Sequence, residues 1–237
     1  MQLQPDGCFV AEFAGAGVGT VAAFIFDRVA WIAMVLVDPN YRKHGIGTAL
    51  MNRALEFIGN RTVRLDATAL GQPVYAKLGF IGEYELTRYE GPLASHKTAT
   101  TLVHVVTGDL ATRPFYQLDQ QVTGTNRAKL LIELAQTGMH VIDQTGYLLD
   151  RPGSRATQIG PAVALDADSG LALLNDAAQR LAGQRVLLDI PVQNQPAIAW
   201  AEAAGLTAQR TFLRMRRGPA IIDQPQQIWA SSGPEKG

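Results

Sequence analysis

Residues 29–37, VAWIAMVLV, form an apolar run that no polar side chain interrupts. Such a strand offers no face to water, so both of its faces must be covered, as happens at the centre of an α/β sheet. Asp38-Pro39-Asn40 ends the run, and apolar residues at Ile46, Leu50, Ala54, Leu55 and Ile58 then recur at helical spacing up to Gly59-Asn60. Between strand and helix lies Arg42-Lys43-His44-Gly45-Ile46-Gly47-Thr48. Glycines there let backbone N–H groups approach a ligand, and the helix dipole adds partial positive charge. Arg42, Lys43 and His44 add basic groups around the same spot. Phosphate oxygens suit this place, although a plain strand-to-helix turn with a solvated basic rim fits the glycines equally well. No Gly-Lys-Ser/Thr follows, so this is not a Walker loop. A third glycine is missing and the spacer DPNYRK is too long for a Rossmann turn.

Around this unit the pattern predicts strands at 8–13 and 18–26, a strand at 62–67, a helix at 73–78 and a strand at 80–88. Three strands, a helix, a strand, a helix and a strand describe a mixed central sheet flanked by helices, with one helix crossing over from the central strand. The polar stretch after Gly91 reads as a connection. We therefore expect a first domain over 1–92, a linker over 93–101, a second domain over 102–218 and a tail over 219–237. In the second part, helices are expected within 110–137, strands at 140–149 and 156–165, a helix at 168–182, a strand at 185–190, a helix at 195–204 and a strand at 207–216. The parts echo each other: RLDATALGQPVYAKLGF aligns with LLDIPVQNQPAIAWAEAAGL, matching Asp66 with Asp189, Gln72-Pro73 with Gln195-Pro196, and Gly79 with Gly205. Matched dipeptides in the same order of elements imply an internal duplication.

Composition removes several functions. Lys+Arg and Asp+Glu are both 21, without the basic excess expected of a nucleic-acid binder. The apolar stretch 18–37 carries Asp27-Arg28 at its middle, which argues for two strands and against a membrane span. Four scattered histidines and one cysteine make no metal site, and a lone Cys8 suits a reducing cytoplasm. Arg210, Arg214, Arg216 and Arg217 read as a solvated face, and Trp31 and Trp200 as core.

Val-Asp-Pro-x-Tyr-Arg-x-x-Gly-Ile-Gly-x-x-Leu, from Val37 to Leu50, resembles the acetyl-CoA-binding motif A of the GNAT acetyltransferase superfamily. Val74-Tyr75-Ala76-Lys77-Leu78-Gly79-Phe80 resembles its motif B. The second part resembles the degenerate second domain of tandem members. There DADSGLALL offers a single glycine among acidic residues, so no cofactor is expected in that part. The resemblance implies a GNAT fold in two halves, the first without its usual opening strand and two helices, because only seven residues precede Cys8. It implies an N-acetyltransferase that uses acetyl-CoA as donor, the amine attacking the thioester directly. Backbone groups of Met34, Val35, Leu36 and Val37 would hold the pantetheine, with the Leu36 N–H polarising the thioester carbonyl. Arg42, Lys43, His44, Gly45, Ile46, Gly47 and Thr48 would bind the pyrophosphate. Tyr75 would be the general acid that protonates the leaving thiolate, whereas its aligned partner Ala201 cannot.

Many relatives place a glutamate on the central strand, but WIAMVLV has no carboxylate. Asp66, Glu12 or a water chain are the alternatives for the base, and Asp66 reads better as structural because Asp189 repeats it. The acceptor would be a small-molecule amine or a protein amino group, and the chain a monomer of two pseudo-symmetric halves or a homodimer. Two other functions stay open: a non-catalytic acyl-CoA-binding or interaction module on the same scaffold, and a phosphate- or nucleotide-binding α/β domain.

Overall fold

The computed structural model describes residues 4–94, 103–107 and 109–236. Most of the expected linker, residues 95–101, lies outside them. The elements in chain order are β1 (Cys8–Phe13), β2 (Ala16–Phe26), β3 (Val29–Val37), α1 (Ile46–Ile58), β4 (Thr62–Ala67), α2 (Gln72–Lys77) and β5 (Ile81–Pro92). Then come β6 (His104–Val106), α3 (Asp109–Thr123), α4 (Ala128–Leu134), β7 (Met139–Ile142), β8 (Gly146–Pro152) and β9 (Thr157–Ala164). The last are α5 (Ala167–Arg180), β10 (Arg185–Pro191), α6 (Gln195–Ala203), β11 (Thr207–Arg217) and β12 (Ile228–Ala230). Among the described residues, no helix is long and apolar enough to cross a membrane.

The chain divides into two units. The first holds the residues up to Glu83, then Leu213–Ile221 and the chain from Pro234 on. Its strands follow the order β1-β2-β3-β4, antiparallel except for the parallel pair β3–β4 that α1 connects. The end of β11, Leu213–Arg217, lies antiparallel on the far edge of β4. Leu50, Met51, Ala54 and Ile58 of α1 pack on Val21, Ala23, Ala30, Ile32, Val63 and Leu65. Each large side chain buried there contributes about 1.5–3 kcal/mol, enough to fix the helix on the sheet.

The second unit holds Tyr84–Phe212 and Ile222–Gly233. It repeats the plan: β6, β7, β8 and β9 run antiparallel, β9 and β10 are parallel, and the Tyr84–Pro92 part of β5 lies antiparallel on β10. One face of its sheet is covered by α5 and α6, through Leu173, Leu174, Ala177 and Trp200. The other is covered by α3 and α4, through Phe115, Leu118, Val122 and Leu131 against Tyr147 and Leu149. Each half of the sequence is thus a mixed α/β sheet flanked by helices, and the expected duplication is a duplication of topology. The first half shows no counterpart of β6, α3 and α4 among the described residues. The two halves also trade final strands, since the end of β5 belongs to the second unit and the end of β11 to the first.

Two expectations need correction. The strand expected over 140–149 is a hairpin, β7 and β8, turning at Asp143 with φ of 41° and closed by the Thr145 N–H on the Ile142 carbonyl at 3.0 Å. The apolar pattern on either side of that short polar turn hid it. The apolar run of β3 is buried on both faces only from Val29 to Ala33; Met34 is 40% and Leu36 55% exposed. The cause is that β3 pairs with β4 only as far as Trp31, and a bulge at Met34, with φ of 53°, disturbs its pairing with β2.

Candidate functional site

The parallel strands β3 and β4 pair through Val29–Thr62, Ala30–Val63 and Trp31–Arg64, then part. Beyond that point the β4-facing edge of β3, Met34 to Val37 included, has no strand partner among the described residues. The chain then leaves β3 through a short turn in which Asp38 accepts a bond from the Asn40 N–H at 2.8 Å. The Arg42 Nε donates back to the Val37 carbonyl at 3.2 Å, and His44 Nδ1 lies 3.3 Å from the Tyr41 carbonyl. Lys43 and Gly45 take left-handed φ values of 67° and 79°, a conformation that costs glycine nothing and lysine about 1–2 kcal/mol.

These turns aim the chain into α1. Gly45 caps the helix without a side-chain bond, and the first helical bond runs from the Ala49 N–H to the Gly45 carbonyl at 2.9 Å. The N–H groups of Ile46, Gly47 and Thr48 therefore have no acceptor within the helix. The first turn of α1 holds no acidic residue, so nothing opposes an anion there. A Cβ on Gly47 would meet only Val37, at 3.6 Å, which leaves space in front of the helix end. The corresponding helix α5 differs in chemistry. Asp166 caps it by accepting from the Ser169 N–H at 2.8 Å and the Ser169 hydroxyl at 3.0 Å, and Asp168 adds negative charge to its first turn.

Tyr75 lies on α2, which follows β4 and so stands at the same end of the parallel pair as the Arg42–Thr48 loop. Its ring folds over Gly71, where a Cβ would come within 2.6 Å of it, and packs 6.1 Å from Phe80. Among the described residues its hydroxyl has no hydrogen-bond partner. Burial raises its pKa above the ordinary tyrosine value, so the phenol keeps its proton at neutral pH. The structure thus brings Met34–Val37 and Arg42–Thr48 into one continuous edge and loop, with Tyr75 on the neighbouring helix.

The proposed bases fare differently. The Asp66 side chain is buried, with both carboxylate oxygens accepting from Arg214, at 2.9 and 3.0 Å. Glu12 is exposed on the edge strand β1. The reading of Arg214 as a solvated residue is therefore wrong: it lies on the part of β11 that pairs with β4, opposite Asp66, and is 5% exposed, while Arg210, before that pairing begins, and Arg217, at its end, are exposed. Its guanidinium also stacks on the Trp31 ring, 4.9 Å from the centroid, and the Trp31 Nε1 donates to the Pro234 carbonyl at 3.0 Å. The sequence carried only half of this cluster. Asp66 announced itself by its repeat at Asp189, whereas Arg214 and Pro234 lie far along the chain and share no local pattern with it.

Two acetyltransferase (GNAT) domain profiles match the chain, one at residues 4–82 and another at residues 115–230. The chain is 26% identical over 192 residues to the uncharacterized N-acetyltransferase YitH of Bacillus subtilis, a match covering 76% of this chain and 67% of YitH. A crystal structure of a candidate acetyltransferase from Pyrococcus horikoshii superposes with a TM-score of 0.90 at 27% identity, covering 100% of this chain and 82% of that one. A tandem GNAT protein from the clavulanic acid biosynthesis pathway shares the fold, with a TM-score of 0.57 at 18% identity over 91% of this chain and 85% of its own. The two profile matches together span most of the sequence, and the chain belongs to the GNAT family of acetyltransferases, with two such domains in tandem.

Proposed function

We propose that this chain is an acetyl-CoA-dependent N-acetyltransferase acting on the primary amine of a small molecule or a protein, and that its donor site lies in the first unit. The observation that carries the reading is the uncapped, acid-free N-terminus of α1 at the end of the open edge of β3. When bound, acetyl-CoA supplies the acetyl group as a thioester. The N–H groups from Lys43 to Thr48 would hold its pyrophosphate, and the open edge of Met34 to Val37 its pantetheine arm, with the Leu36 N–H toward the thioester carbonyl. Tyr75, kept protonated by its burial, would give its hydroxyl proton to the departing sulfur. With Asp66 engaged by Arg214, the proton of the attacking amine would leave through water.

Calorimetry with acetyl-CoA, followed by thiol release over a panel of amines, tests this. Binding with release on at least one amine is expected. The second reading, a non-catalytic acyl-CoA-binding module, draws on the absence of a carboxylate on β3. It expects binding and no release on any amine. An absence of binding, or ATP affinity that acetyl-CoA cannot displace, overturns both.

A further inference from the structure

The second unit contains the same parting of parallel strands as the first, and there the chain itself occupies it. Strands β9 and β10 pair only through Thr157–Gln158 and Val186–Leu187. Beyond that point β12 lies antiparallel along β9, Ile228 opposite Val163 and Ala230 opposite Ala162. On its other side the Ser231 N–H donates to the Asp189 carbonyl of β10 at 2.8 Å. The segment is thus bonded to both strands that flank the gap.

Its seat is shaped for it. A Cβ on Gly170 of α5 would fall inside the Trp229 ring, and one on Gly160 of β9 would collide with the Ser231 carbonyl. Trp229 and Ser232 are 2% and 0% exposed. Polar groups close the rest: the Asn194 Nδ2 donates to the Ile228 carbonyl at 3.1 Å, and the Arg151 Nη2 to the Ser232 carbonyl at 2.7 Å. The Ser232 hydroxyl accepts from the Arg127 Nη1 at 3.2 Å. Arg127 is itself fixed, donating to both oxygens of the buried Asp119 at 2.6 and 3.1 Å.

We infer that residues 228–232 are a built-in ligand of the second unit: a peptide strand lies where the first unit leaves β3 open, and it shuts the second unit to acyl-CoA. The comparison with acyl-CoA rests on the donor reading given above; the seat of the peptide does not. Both gaps arise where a parallel strand pair parts, and the second is filled by part of the chain's own tail.

Hydrogen exchange on the full chain, paired with acetyl-CoA calorimetry, separates these two levels. The amides of Ala230 and Ser231 are expected to exchange as slowly as those of β9, with one equivalent of acetyl-CoA bound per chain. Amides exchanging like a free peptide, or two equivalents bound, overturn the inference. Protected amides with no acetyl-CoA uptake uphold the seat and overturn the donor reading instead. The Gly170→Leu variant, which drives Trp229 from its seat, should speed exchange at Ala230 by roughly a hundred- to several thousandfold, the scale of losing a buried tryptophan. Exchange unchanged in that variant counts against the seat, and should the variant fail to fold, the wild-type protection pattern decides.

Discussion

Asp66 and Arg214 stand opposite each other in register on β4 and β11, and Asp189 and Arg88 stand opposite each other on β10 and β5. Both are forked pairs, the second at 2.7 Å through each nitrogen. Neither carboxylate is reachable by water, so removing either arginine strands a buried charge. Arg214→Ala and Arg88→Ala should each cost about 3–5 kcal/mol in urea denaturation; a loss below about 1 kcal/mol in both would assign these pairs to the solvent-screened class. The repeated aspartates were legible in the sequence as a matched pair. Their partners were not, because pairing across more than a hundred residues leaves no periodic trace. The motif picks out Tyr75 as a candidate, but its raised pKa arises from burial that only folding reveals. Tyr75→Phe should leave acetyl-CoA affinity intact and slow turnover by roughly 10²–10⁴-fold. In the parent protein the rate should also fall at alkaline pH, above the ordinary tyrosine value of 10.0, as the phenol loses its proton. A variant that keeps that alkaline limb removes Tyr75 from proton transfer.

At the level of elements, the two ends of α1 differ. Its C-terminal half, with Ala54 and Ile58, is sealed against the sheet, while its first turn is left bare. Gly45→Ala has open space for its methyl group but must hold a φ of 79°, so about 1–2 kcal/mol of strain falls on the loop itself. We expect weaker acetyl-CoA binding with little change in the cooperativity of unfolding. Gly47→Trp should abolish binding while the fold survives, because its side chain would project into the space ahead of the helix; native affinity in that variant would move the pyrophosphate elsewhere. The strand and helix bounds around this site could be read from the sequence, since α1 covers the predicted 46–58 and β3 the predicted 29–37. What could not be read was that β3 is buried for only its first five residues. The exposed end has the same composition as the buried end, and the difference comes from where β4 turns away.

At the level of the molecule, one topology serves two ends. In the first unit an open strand edge leads to a bare helix terminus. In the second, an aspartate caps the helix and a tail strand lines the edge. The sequence disclosed the duplication and the loss of the glycine loop in the second part. It did not disclose the role of Ile228-Trp229, because an isolated apolar pair has no periodicity to place it.

The trade of final strands has a consequence for the order of events during synthesis. Strand β4 cannot gain its outer neighbour until Leu213–Arg217 has been made. At roughly 5–20 residues per second, a ribosome keeps the nascent first unit waiting on the order of ten seconds with a bare strand edge. Chains stalled before residue 213 should accordingly be cut by protease within 62–67 and should associate with chaperones, whereas released chains should resist. Resistance in the stalled chains would mean that the first unit completes itself without its borrowed strand.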